Sequence, residues 1–216
     1  MWRRDRGPGC PRGGSSRSDA PARAAAPLPG VFWWYAAFAA LTMVGFATFG
    51  LVGYHLTVTG PAGAAAVPVI YAGAMVADAV AAGVTGYGYD RWGMQVLVAL
   101  PVLAAAVPPL AFGTSLPPAV TGAVLWGAAL GVQESTLRAV VADLVPAGRR
   151  ASAYGIFAAV HGLSWAAGGA AVGLLYQVSY PAMVWFAVTT QAVALVLLAA
   201  IRRRSQPTPR QQAGGG

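Results

Sequence analysis

Charge is scarce in this chain. Of 216 residues only 9% are charged while 57% are hydrophobic, too few polar side chains to cover the surface of a water-soluble domain, so lipid is the expected solvent. Lysine is missing altogether: all 14 basic residues are arginine, and with Ala, Gly and Pro so abundant we read biased codon usage and assign the alanines no function. The single cysteine, Cys10, sits in a Pro/Gly/Arg tract without an intrachain partner, which excludes a disulfide framework and says nothing about redox compartment. Two distant histidines and no HExxH leave nothing from which to build a metal centre or a hydrolytic site, so neither a metal, a cofactor nor an enzyme activity is expected. The net charge of +8 and pI near 10.4 raise nucleic acid as a partner. That reading needs a basic face on a water-exposed module, and here the charges sit only at the ends of apolar stretches, so the expected partner is the bilayer.

The charge-free intervals count the spans. No Asp, Glu, Lys or Arg occurs between Arg23 and Asp78, Arg91 and Glu134, or Arg150 and Arg202, and each interval is about twice the ~20 residues that one transmembrane helix requires. Each therefore holds a helical hairpin, broken where turn residues gather: Thr59-Gly60-Pro61, Gly113 to Pro118, and Gln177 to Pro181. The expectation is an all-α polytopic membrane protein with six transmembrane helices near 31–57, 64–88, 95–112, 119–142, 152–176 and 181–201. Pro68, Pro101, Pro108 and Pro109 are expected to kink their helices.

Arginine placement orients the chain. The hairpin breaks carry none, whereas the N-terminal tract, the Asp90-Arg91 turn, the Arg149-Arg150 turn and Arg202 to Arg204 all do. By the positive-inside rule these four regions, and hence both termini, are cytoplasmic in a multi-pass protein of the cell membrane. Phe32, Trp33, Trp34 and Tyr35 at the start of the first span suit a headgroup layer. Residues 1–30, with six arginines among Gly, Pro and Ser, form a disordered basic segment by composition, and 205–216 a disordered tail, on either side of a membrane domain over 31–204.

Two polar units punctuate the apolar sequence. Gly86-Tyr87-Gly88-Tyr89-Asp90-Arg91-Trp92-Gly93 is a tight turn with an acid and a base at a helix end. Gln133-Glu134-Ser135-Thr136-Leu137-Arg138 ends the fourth span, with Glu134 and Arg138 four apart on one helical face, where they can neutralise each other at the edge of the hydrocarbon. Ala142-Asp143-Leu144-Val145-Pro146 then leads through Arg149-Arg150 to Ala153-Tyr154-Gly155-Ile156-Phe157.

These residues resemble the major facilitator superfamily of secondary transporters. Gly86, Asp90, Arg91 and Gly93 match the G-x-x-x-D-R-x-G core of the loop motif between the second and third helices of each six-helix half, and Val141 to Pro146 with Arg150, Ala153, Gly155 and Phe157 resemble the pattern between the fourth and fifth. The resemblance runs from about Phe32 to Arg204 and looks like the C-terminal half. Met94 and Gln95 come after the second glycine where the family usually has basic residues. The resemblance implies movement of a small solute by alternating access between two halves, with proton coupling as an option. Only one half is present, as a truncated fragment, a split half pairing with a second six-helix product, or a self-associating half. A non-transporting membrane scaffold or partner subunit is the alternative.

The polar residues supply the candidates for function. Asp90, Arg91, Glu134, Arg138 and Arg150, with Asp143 and the loop glycines Gly86 and Gly93, are expected to form a cytoplasmic gate network. Asp78 lies about twelve residues before Asp90, ~18 Å along a helix and hence near mid-bilayer, where a carboxylate is a proton site, a cation contact or a hydrogen-bonded acid between helices. His161 and Ser164, three apart in the fifth span, can share a face and line the pathway, a buried His161 hydrogen-bonded to a neighbouring helix being the other reading, and Trp126, Gln133 and Gln191 are further pathway candidates. His55 is expected to be solvated near the outer end of the first span. Gly127-x-x-x-Gly131 and Gly169-x-x-x-Gly173 are expected to be packing faces.

Overall fold

The computed structural model describes residues 27–59 and 63–205. The basic segment up to residue 26, the first hairpin break at 60–62 and the tail from residue 206 lie outside the described residues. Among the described residues all regular structure is helical: α1 (Gly30–Val44), α2 (Phe49–Val58), α3 (Val67–Trp92), α4 (Ala99–Ala111), α5 (Leu116–Leu144), α6 (Arg150–Val178) and α7 (Tyr180–Ser205), with short 3₁₀ turns before α3, α4 and α6. Five helical runs among the described residues are long and apolar enough to cross a membrane: Gly30–Val58, Ala64–Ala111, Leu116–Leu144, Ala147–Val178 and Tyr180–Arg203.

The second of these runs is not a rod. Its 48 residues would extend ~72 Å as one helix, more than twice a ~30 Å hydrocarbon core. Gly93 breaks it with φ 58° and ψ −140°, a backbone state closed to residues bearing a Cβ. Contacts with α5 fix the direction of the chain on either side of the break. Ala74 meets Gly127, Asp78 meets Gly131, Thr85 Oγ1 and Ser135 Oγ share a 2.9 Å hydrogen bond, and Tyr89 reaches Asp143. Residue numbers rise together, so α3 and α5 are parallel. Across the next turn Ala111 meets Gly122, so α4 is antiparallel to α5. The chain therefore reverses between Gly93 and Val98. Pro68 and Pro101 lie in the first turns of α3 and α4, where the missing N–H has no partner within the helix to lose; Pro108 and Pro109 lie close to the end of α4.

The first span is discontinuous, where the sequence predicts a single helix over 31–57. At residues 45–48 the i→i−4 ladder fails: Phe46 N–H bonds Met43 O at 3.1 Å and Leu51 N–H bonds Thr48 O at 3.1 Å, so the carbonyls of Thr42 and Ala47 lose their helical donors. An unpaired carbonyl in an apolar interior costs several kcal/mol (about 2–7), and two side chains answer it. Gln191 Nε2 of α7 donates to Thr42 O at 2.9 Å, and Trp126 Nε1 of α5 donates to Ala47 O at 2.7 Å. Small residues admit the neighbours: a Cβ on Gly168 of α6 would overlap Val44 O, and one on Gly45 would overlap Thr190 Oγ1 of α7.

Three side chains sit differently from their sequence expectation. Of the aromatic cluster at the start of α1, Trp33 and Trp34 are exposed but Phe32 and Tyr35 are fully buried, Tyr35 donating through its hydroxyl to Leu137 O at 3.0 Å. His55, expected to be solvated, is only 5% exposed. Gly113 O can only accept, so the 3.3 Å contact puts the imidazole hydrogen on Nε2, and Nδ1 then accepts from Tyr176 O–H at 2.8 Å. The ring also packs edge-on against Phe112 and Tyr176, tying α2 to the α4–α5 turn and to α6. Replacing His55 by Ala is expected to lower unfolding free energy in detergent by about 2–4 kcal/mol, through two lost hydrogen bonds and a cavity, and Tyr176→Phe by about 1 kcal/mol. A His55→Ala variant that melts with the wild type would show that this junction carries no stability.

Candidate functional site

Helices α5 and α6 are joined by a short turn yet diverge over their length, enclosing a cavity of about 510 Å³. The α5 wall is Leu130, Gln133, Glu134, Leu137 and Arg138, a single face by the 3.6-residue period. The α6 wall is Tyr154, Phe157, Ala158, His161 and Trp165, again one face, carrying four rings. These rings form a ladder continued from the core: Tyr35 stacks on Phe157 with centroids 5.7 Å apart, Phe157 on His161 at 5.9 Å, and His161 meets Trp165 edge-on at 6.4 Å. Gln133, 4% exposed, crosses from one wall to the other, its Nε2 donating to His161 Nε2 at 3.1 Å. Accepting there puts the hydrogen of a neutral imidazole on Nδ1. That Nδ1, Gln133 Oε1 and Trp165 Nε1 are all buried without a hydrogen-bond partner, a departure from the rule that buried polar atoms are paired.

Four sequence candidates thus meet at one place: Gln133, Glu134, Arg138 and His161. Glu134 and Arg138 lie exposed toward the cavity mouth, and neither takes part in an ion pair among the described residues. Ser164 is half-buried outside this wall, which takes Trp165 in its stead. Trp126 is committed to Ala47 O and lies away from the cavity.

The remaining charged candidates gather elsewhere. Tyr89, Asp90, Gly93 and Met94 at the α3 end face Val140, Asp143 and Leu144 of α5 around a second concavity of about 420 Å³. Tyr89 O–H donates to Asp143 Oδ2 at 2.7 Å across it. Arg91 is exposed just beyond. Arg150 turns back on its own loop, Nε donating to Val145 O at 3.3 Å. Gly86 has open space around its α-carbon, whereas at Gly88 a Cβ would meet Val96 and Trp92 at 3.3–3.4 Å. One cluster along the sequence is thus two in space, one between α3 and α5 and the other between α5 and α6.

Asp78 occupies the crossing of α3 and α5, where a Cβ on Gly131 would overlap Asp78 O. Its Oδ1 is buried with no hydrogen-bond partner. Tyr89, Tyr154, Phe157 and Trp165 are not among the candidates that the sequence singles out for the site. The 154, 157, 161, 165 spacing of rings at i, i+3, i+7 and i+11 is the signal that could have found three of them.

The family model of the Major Facilitator Superfamily matches residues 36–216. An uncharacterized protein of Mycobacterium tuberculosis (strain ATCC 25618 / H37Rv) is 50% identical over 175 residues, which are 81% of this chain and 43% of that protein. An uncharacterized protein of Mycobacterium bovis (strain ATCC BAA-935 / AF2122/97) matches with the same identity and the same coverage. The chain thus spans less than half the length of these relatives. The family match extends over most of the chain and takes in the loop glycines, both charged clusters and the α5–α6 cavity, and the chain belongs to the Major Facilitator Superfamily.

Proposed function

We propose that this chain forms one half of a transporter of the major facilitator type that moves a small solute across the cell membrane by alternating access. The observation that carries the reading is the α5–α6 cavity, whose walls hold three buried polar atoms without partners. A protein whose sole task is packing gains nothing by leaving such atoms unpaired at about 1–3 kcal/mol each; a binding wall completed by solute does. The reversal at Gly93 supports counting the 48-residue run as two spans, hence six in all, and the arginine pattern supports cytoplasmic termini. A second six-helix half, from another product or a second copy, would supply the opposite wall; that the chain spans 43% of its relatives supports this. In this reading Asp78 is a proton or cation site at mid-membrane, the Asp90–Asp143 cluster opens and closes the cytoplasmic side, and Glu134 and Arg138, expected from sequence in that gate, belong instead to the cavity wall that meets the solute.

The test is solute exchange by the full chain in proteoliposomes, using a panel of radiolabelled sugars, amino acids, and organic anions and cations. Exchange of at least one class is expected, with Gln133→Ala reducing it about ten-fold, the equivalent of ~1.4 kcal/mol, and Asp78→Asn abolishing its dependence on a proton gradient. Failure to exchange any class would leave a non-transporting partner subunit as the better reading. Alanine at Asp90 and Asp143 that changed neither rate nor conformer populations would sink the cytoplasmic gate.

A further inference from the structure

We infer that the α5–α6 cavity takes a zwitterionic solute with a flat, unsaturated body, the two charges meeting Glu134 and Arg138 and the body lying against the aromatic ladder of α6. The inference deepens the transport reading and rests on it for its physiological meaning. Size comes first: about 510 Å³ falls within the ~300–1,000 Å³ usual for small-molecule sites. Shape comes from the rings. Phe157, 6% exposed, is taken up by its stacking on Tyr35 and His161, so a ring or conjugated system in the cavity would meet the ladder at the edges of its rings, in the edge-to-face manner that aromatic pairs favour.

Charge narrows the class further. Glu134 and Arg138 stand one helical turn apart, ~6 Å along the axis, on the same wall and with no ion pair between them. A solute carrying one charge gains from one of these groups and is repelled by the other. A solute carrying both gains twice, provided its acid and base lie on one edge. Deeper in, Gln133 Oε1 lacks a donor and Trp165 Nε1 lacks an acceptor. Both atoms are shut from solvent in this arrangement, so a solute reaches them only as the ladder side chains turn aside. Its own N–H and its own oxygen or nitrogen would then pair with these two atoms. A metal ion has no comparable claim, since no group of three His, Cys, Asp or Glu side chains exists among the described residues.

Three probes sharing one ring system separate the charge classes: L-tryptophan as zwitterion, tryptamine as cation and indole-3-propionate as anion. Binding would be measured to the full chain in phosphatidylglycerol nanodiscs. L-Tryptophan is expected to bind at least five-fold more tightly than either singly charged probe. Arg138→Gln should erase its advantage over tryptamine, and Glu134→Gln its advantage over indole-3-propionate, with both variants melting at the wild-type temperature. A merely structural role for the two residues would not make each variant lose a different one of the two preferences. A preference below five-fold, no binding by any probe, or variants that lose all three probes equally would overturn the inference. Should that happen while proteoliposomes still exchange a solute, this inference alone falls and the transport reading stands.

Discussion

Alanine at Gly127 or Gly131 is expected to lower the unfolding free energy of the protein by about 3 kcal/mol or more, because these two make the closest backbone approaches of the described glycines. At Gly127 the added Cβ would overlap Ala74 O and lie 2.6 Å from its carbonyl carbon, and at Gly131 it would overlap Asp78 O and lie 2.9 Å from Ala82 N. All four are backbone atoms, so no rotamer change relieves the clash. The helices must separate by roughly 1.5 Å to restore ordinary contact, and dispersion is then lost along the whole crossing. In lipid, where apolar side chains gain little by leaving their solvent, that dispersion is most of what joins two helices. Separation would also stretch the Thr85–Ser135 and Tyr89–Asp143 hydrogen bonds further along the same pair. The control is Gly173→Ala, which meets nothing within 4 Å and should be neutral or gain up to ~1 kcal/mol from helix propensity. Thermal melts in detergent decide the matter, and a Gly127→Ala protein melting with the wild type would mean that α3 and α5 are not in close contact.

Removing the two side-chain donors at the break in the first span is expected to have the next largest effect. Trp126→Phe keeps a ring against Phe46 and Phe49, whose centroids lie 6.1 and 5.2 Å from the indole, and removes only the N–H that serves Ala47 O. Gln191→Leu keeps the volume and removes the donor to Thr42 O. Each leaves a buried carbonyl unsatisfied, at about 1–3 kcal/mol. The double variant should lose less than the sum, because with both donors gone the backbone can close its own i→i−4 ladder and pair both carbonyls locally. Slower hydrogen exchange at the Phe46 and Leu51 amides in the double variant would mark that closure. Strict additivity with unchanged exchange would mean that the break is imposed by something other than these two donors.

Much of the helical framework could be read from residue order, because a lipid solvent writes it in one variable. Charge-free stretches bounded by Gly/Pro/Ser turns became helices, and the expected breaks at Gly113 to Pro118 and Gln177 to Pro181 coincide with the α4–α5 turn and the α6–α7 junction. What escaped is what depends on partners distant in sequence. Residues 45–48 contain no proline, and the break there is completed by donors on α5 and α7. His55 gave no sign of its acceptor and donor, which come from the second and third hairpins. The glycine pairs show the same limit. Spacing identified Gly127 and Gly131 correctly as a contact face, but Gly173 faces open space and the close approach to α1 is made by Gly168. A helix that is apolar all round carries no stripe to say which side meets protein and which meets lipid. The charged candidates were legible as residues at one end of the bundle, yet the division into an α3–α5 and an α5–α6 cluster needs the splay of α5 from α6, which no local pattern encodes.

The donors at the first span also impose an order on biosynthesis. Ala47 precedes Trp126 by 79 residues and Thr42 precedes Gln191 by 149. When α1 and α2 leave the ribosome, neither donor has been made, and the Thr42 and Ala47 carbonyls can then be satisfied only by a continuous helix or by water at the translocon. The bend is fully hydrogen-bonded only once α5 and then α7 have arrived, so that its geometry doubles as a record that α7 is in place.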